Sequence, residues 1–175
     1  MNDSTYAKQG IYKVLIRAPI ETVWSELVNT REPRPFFWDS SWDTNEIAEG
    51  NAYRMVSNKG QTVAVVGEIL EIDPPHRLVT SFRLTSLDDP PSRVTYTLEE
   101  TPEGTEFTLI TDEVIAGSKS DKSMADGSRF IVANFKAFVE TGKVLPGARL
   151  TLLMFRLMSP FTPKSMRAEN WPLEG

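Results

Sequence analysis

The sequence contains no cysteine and one histidine. Without thiols there is no disulfide, no thiolate metal site and no cysteine nucleophile. The single histidine, His76, has no second histidine to share a metal with. It stands in Asp73-Pro74-Pro75-His76, whose dipeptides mark a surface turn, so a Ser–His–Asp triad would have to recruit a turn residue. A basic excess is missing too. The net charge is −5, whereas a nucleic-acid partner calls for a basic face. No apolar run approaches the roughly 18–20 residues of a membrane span. Residues 1–10 are polar and lack the apolar stretch of a secretory signal. A cytoplasmic location is therefore expected. Glycine-rich phosphate loops, Gly-x-Ser-x-Gly and clusters of metal-ligand residues are all absent. Neither a metal nor a cofactor is expected, and no catalytic residue is assigned.

What is present suits a soluble globular protein of one domain with an appendage: 175 residues, 40% apolar and 25% charged. That length can bury a core without staples. The strongest pattern lies at Gly127–Gly142. Ile131, Asn134, Phe135 and Phe138 recur at helical spacing, and Phe130, Ala133 and Ala137 widen their face. Arg129, Lys136 and Glu140 fall opposite, and Gly142 can stop the helix in the left-handed conformation. Ala116–Asp126, just upstream, reads as a polar loop.

The rest reads mostly as strand. Ile11–Arg17 is rich in β-formers. Pro19 to about Asn29 is a helix with Ile20, Val23, Trp24 and Leu27 on one face, followed by a broken helical turn over Arg31–Phe37. A strand begins within Trp38–Glu46. Further strands are expected at Ala52–Ser57, Thr62–Ile72, Leu78–Leu84, Val94–Leu98 and around Phe107–Thr111. Gly67 interrupts the longest of them and marks a bulge or a close approach. Short turns imply antiparallel neighbours, so the fold class is α+β, with helices gathered on one side of a sheet.

Three separated blocks then carry a family likeness. Ile20-Glu21-Thr22-Val23-Trp24 resembles the entry helix of the START/Bet v 1-like (SRPBCC) superfamily. Gly67 to Val79 is similar to the central hairpin of its branch named after the activator of Hsp90 ATPase homologue 1. Gly127…Asn134-Phe135-Lys136…Glu140-Thr141-Gly142 resembles that branch's terminal helix. The family usually has tryptophan where this chain has Ser128, and often where it has Phe82; both departures would alter cavity lining or packing. The likeness covers residues 8–147. It implies a helix-grip fold: a curved antiparallel sheet wrapped around a long C-terminal helix, two short helices after the first strand, and a cavity between sheet and helix. Fold alone does not imply a reaction.

The expected function is binding of a hydrophobic small molecule in that cavity, by Trp24, Trp42, Tyr53, Met55, Phe82, Tyr96, Phe107, Asn134, Phe135 and Phe138. All but Asn134 would also serve as ordinary core, and Asn134 could equally bond backbone. Two alternatives stand behind it: an enzyme similar to polyketide cyclases and aromatases, and a chaperone-associated interaction module. Asp39 and Asp43 could divide acid and base roles, but read more simply as solvated residues flanking a strand. Residues 148–175 form a basic apolar tail. Arg149, Arg156, Lys164 and Arg167 against Glu169 and Glu174 give it +2, which leaves −7 for the rest. The tail could pack on its own body, form a homodimer contact or lie on a membrane, in that order of preference. Pro160, Pro163 and Pro172 forbid a long helix late in it.

Overall fold

The computed structural model describes residues 5–173. The outermost positions of the tail, Glu174 and Gly175, lie outside the described residues. Seven strands form one antiparallel sheet in the order β1-β7-β6-β5-β4-β3-β2. They are β1 (Gly10–Ile16), β2 (Ser41–Asp43), β3 (Ala52–Ser57), β4 (Thr62–Asp73), β5 (Arg77–Leu84), β6 (Ser92–Thr101) and β7 (Gly104–Asp112). Helix α1 (Ile20–Leu27) buries Ile20, Val23 and Leu27. A 3-10 turn, Pro35–Phe37, buries Phe36 and Phe37. The long helix α2 (Lys119–Thr141) follows the last strand, and α3 (Pro146–Met158) opens the tail. This is the α+β helix-grip arrangement expected.

The sheet alternates as a half-buried antiparallel sheet must. Tyr53 and Met55 on β3 are buried while Arg54 turns away; Val65 on β4 is buried, and Arg54 and Arg83 both pair in register with its neighbour Val66. The register shifts at Met55/Val56 and Ile69/Glu71, irregularities that bend strands and increase twist. Gly67 is not one of these. A Cβ there would lie 2.1 Å from the Ser81 carbonyl oxygen and 2.7 Å from the Tyr53 ring. Tyr53, opposite Gly67 on β3, lays its ring across the bare backbone of β4 and donates its hydroxyl to Ser81 O on β5 at 2.8 Å. One side chain thus spans three strands because the middle one offers only glycine.

The long helix begins eight residues before the expected Gly127. Residues 119–126 are helix, not loop. Ser118 caps the start by accepting from Asp121 N at 3.1 Å, and Asp121 suits the positive end of the macrodipole. Their polarity hid them: this stretch buries only Ser120 and Met124. The apolar face is also rotated slightly from the expected one. Val132 is buried and Ala133 exposed. Gly142 ends the helix at φ 72, left-handed as expected.

Three aromatic contacts decide how α2 sits. The Phe135 ring packs 4.7 Å from Phe36 and 4.8 Å from Phe107 on β7, and Phe138 lies 5.4 Å from Phe36. Phe36, Phe107 and Phe135 are fully buried. Such pairs add about 0.5–1.5 kcal/mol each beyond their burial. The C-terminal half of α2 is thereby closed onto the sheet.

Gly67→Ala is expected to lower stability by about 2 kcal/mol or more, because backbone as well as the Tyr53 ring must move. Thermal melting checks this. An unchanged melting temperature would contradict the spanning role of Tyr53.

Candidate functional site

Towards its N-terminal half α2 faces the sheet with small residues. Ser128 stands where bulk would be needed to reach β6 and β7, its neighbour Gly127 faces Trp38, and between helix and sheet lies a hollow of about 960 Å³, partly open to solvent. Its floor is Val94 and Tyr96 on β6 with Leu109 and Thr111 on β7. Tyr53, Met55, Val65, Phe82 and Leu84 continue the wall, and Met124, Ser128 and Ile131 form the roof. The mouth is bordered by Trp38 and Asp39 on one side and by Phe155, Met158 and Phe161 of the tail on the other.

The expected ligand set divides. Trp42, Tyr53, Met55, Phe82 and Tyr96 line the hollow; Trp24, Phe107, Asn134, Phe135 and Phe138 are not on its wall. Phe107, Phe135 and Phe138 belong to the aromatic contact that closes the other end. Trp24 is half-buried against the core. Trp42 is both wall and core: its indole N–H donates to Leu27 O at 2.9 Å, tying β2 to α1. Ser128 and Phe82, the two departures from the family pattern, both face the hollow. Trp38, Val94, Leu109, Thr111, Met124 and the tail residues at the mouth are lining residues outside the expected set, while Ser128 is expected to affect the lining without being placed in the ligand set. Gly127-Ser128 was the available signal: two small residues on the inner side of a helix leave room.

Asn134 has a structural use. Its amide N donates to Phe130 O at 2.9 Å, and its oxygen accepts from Leu145 N, 3.0 Å away, where α3 begins. An amide with no partner inside its own helix is thereby satisfied, and α3 is tied to α2. Val144, Ala148 and Leu152 complete the joint by packing on Trp38, Phe130 and Phe138. Trp38 is central to it. Its ring stacks on Phe130 at 4.7 Å and 13°. It also rests so close to Gly127 that a Cβ there would stand 3.2 Å away. Trp38 and Asp39 both have left-handed backbones, φ 53 and 55, a costly conformation for a bulky residue. Arg34, buried beside Glu26 and over the Phe138 ring, holds their loop.

The hydroxyls on the wall differ in what they bond. Tyr53 is committed to Ser81. Those of Tyr96, Thr111 and Ser128 have no hydrogen-bond partner among the described residues, although all three residues are buried. Burial pushes the Tyr96 phenol well above its ordinary pKa, with a smaller push from Tyr53, so it stays a neutral donor. The carboxylates at the mouth are occupied. Asp39 pairs with Arg156 at 2.7 Å, and Asp126 with Lys122 at 2.7 Å and Arg129 at 3.3 Å. Asp43 pairs instead with Arg54, so the two tryptophan-flanked aspartates serve different arginines and form no dyad. His76 is exposed in its turn. Among the described residues no group of three or more histidine or carboxylate side chains could hold a metal.

After α3 the tail turns at Ser159–Phe161 and Lys164–Met166 and leaves the mouth. Arg167 bridges Thr62, and Ala168 N donates to Gln61 O at 3.0 Å. Trp171 then reaches the outer face of the sheet. Its carbonyl accepts from Arg54 at 2.6 Å, and its ring lies 5.4 Å from the Arg83 guanidinium.

Residues 17–140 match the family described as activator of Hsp90 ATPase homolog 1-like protein. The chain belongs to that family. Solved structures agree on the fold of this family member. MLL2253 of Mesorhizobium loti matches at 20% identity over 75% of this chain and 96% of its own, with a TM-score of 0.62. CalU16 of Micromonospora echinospora matches at 20% identity over 86% of this chain and 84% of its own, TM-score 0.60. DynU16, a protein of the dynemicin biosynthetic locus, matches at 20% identity over 79% of this chain and 49% of its own, TM-score 0.64. No curated protein matches the chain. The family match ends at residue 140, so α3 and the wrapped segment lie beyond it.

Asn134→Ala is expected to cost about 1–3 kcal/mol, the usual loss when a buried amide partner is removed. Hydrogen exchange should rise first at Leu145–Met158, while the sheet stays protected. Uniform loosening would contradict the tie.

Proposed function

We propose that this protein binds a hydrophobic small molecule between the sheet and the N-terminal half of α2. The single observation behind the reading is the makeup of the hollow's wall. It is mostly aliphatic and aromatic, with the unbonded Tyr96 hydroxyl on its floor. Pockets of this size and makeup bury most of a small ligand and use a few polar groups to orient it. Tyr96 would donate to an oxygen or nitrogen on an otherwise apolar molecule. Thr111 and Ser128 would serve the same polar end. The likeness to CalU16 and DynU16 supports the fold and leaves the ligand open.

The cyclase-like alternative uses the same hollow. It needs an acid and a base aimed at the substrate, and each carboxylate at the mouth is already paired with a cation. A neutral tyrosine beside two hydroxyls suits orientation better than proton abstraction. The hollow itself counts against the third reading, since a pure interaction module would fill its core. A homodimer through the tail would draw on the apolar surface of α3.

A solvatochromic apolar dye should bind and shift its emission in the parent protein. Ser128→Trp, which installs the residue usual in the family, would fill the roof of the hollow and weaken the dye by about tenfold or more. Tyr96→Phe should leave the dye unaffected. For ligands found by thermal-shift screening of lipids, flavonoids and polyketides, it should weaken binding about three- to tenfold, the worth of one hydrogen bond. Equal dye binding by the parent and Ser128→Trp, with melting unchanged, would overturn the reading.

A further inference from the structure

From Thr141 to Ala168 the chain has no aspartate and no glutamate, but it has Lys143, Arg149, Arg156, Lys164 and Arg167. The same segment carries most of the exposed large hydrophobics of the described residues. Helix α3 explains why they are exposed. It buries only Ala148 and Leu152. At about 3.6 residues per turn, Leu150, Leu153, Met154 and Leu157 fall on the opposite side. Their exposures run from 51% to 64%. Phe161, just beyond the helix, is 76% exposed. Arg149 and Arg156 flank this arc on one side, Arg156 at the mouth beside Asp39. A helix apolar on both faces is normally covered on both, and a contiguous bare patch marks an interaction surface.

We propose that α3 docks this protein on an anionic lipid surface. Charge decides the occupant. Arg156 is paired with Asp39 across the mouth and Arg167 lies loosely by Glu169. Lys143, Arg149 and Lys164 have no carboxylate partner among the described residues. A second copy placed face to face would bring like charges together around its leucines. A membrane surface supplies acyl chains for the leucines and anionic headgroups for the cations. The rest of the chain carries the opposite charge, so the molecule would approach with α3 foremost. Thirteen residues fall short of the ~20 that cross a bilayer, so α3 would lie in the plane of the interface. No helix among the described residues is long and apolar enough to span a membrane.

Docking has a consequence for the hollow, and this part rests on the proposed function. Phe155, Met158 and Phe161 border its mouth from the tail. With α3 in the headgroup layer, that mouth opens beside the acyl chains. A hydrophobic ligand could then enter without crossing water.

The test is co-sedimentation of the full chain with vesicles of phosphatidylcholine and phosphatidylglycerol in equal parts, and with phosphatidylcholine alone. Binding is expected to the anionic vesicles and to fall as salt is raised. The pair Leu153→Glu and Leu157→Glu should reduce it roughly tenfold or more, since each places a carboxylate where hydrocarbon contact was. Both positions are exposed, so circular dichroism and melting should not change. Ser128→Trp blocks the hollow and leaves α3 bare, and it should dock like the parent. Loss of ligand binding therefore does not bear on docking, nor the reverse. Docking is overturned if the parent ignores anionic vesicles at low salt, or if the double variant binds them equally. It is also overturned if ultracentrifugation finds a dimer that the double variant dissolves and vesicle binding is nil; the face would then belong to a second copy.

Discussion

The arrangement depends on one aromatic contact, Phe135 of α2 wedged between Phe36 and Phe107. It fixes one half of the long helix on the sheet. Along its other half the side chain of Ser128 is too small to fill the gap to the sheet. Protein interiors are otherwise packed near crystal density, and a void of this size lined by so few committed hydroxyls is a cost that folding alone does not repay. The contact at Phe135 and the hollow are therefore two results of one distribution of side-chain volume along α2: phenylalanines late, small residues early.

The joint between α2 and α3 extends the same logic. Trp38 lies close against the helix where Gly127 has no side chain, and in lying there it gives Ala148 and Leu152 a surface to pack on. Asn134 supplies the directional bond that apolar contact lacks. The tail is thus tied at its root by Asn134, at the mouth by Arg156 with Asp39, and on the outer sheet face by Trp171 with Arg54 and Arg83. Between these ties the outward side of α3, with Leu150, Leu153, Met154 and Leu157, stays exposed among the described residues.

Much of the fold was readable from the sequence. Strand alternation, the turns and Pro19 placed nearly every element, and Gly67 was correctly one of two things, a close approach. The start of α2 was not readable, because a helical stretch that faces solvent and a hollow has no apolar stripe to betray it. The site was readable only in part. Periodicity reports burial, and Phe107 and Phe135 are as buried as any wall residue while closing the opposite end. A hollow is made by absent volume, and Ser128 signalled it only by standing where the family usually has tryptophan. For the tail the sequence offers only composition, from which packing on its own body is the first expectation and a membrane the last. In three dimensions it does pack on the body, yet it spends only a narrow stripe of α3 in doing so.

Helix α2 is closed on the sheet at Phe135 and stands off it at Ser128. Diffraction from crystals held under xenon tests this most directly, because xenon occupies apolar voids. Xenon is expected among Val94, Leu109, Met124 and Ile131, with none around Phe36, Phe107 and Phe135. Crystals showing the early turns of α2 seated on β6 and β7, with no xenon between them, would contradict it.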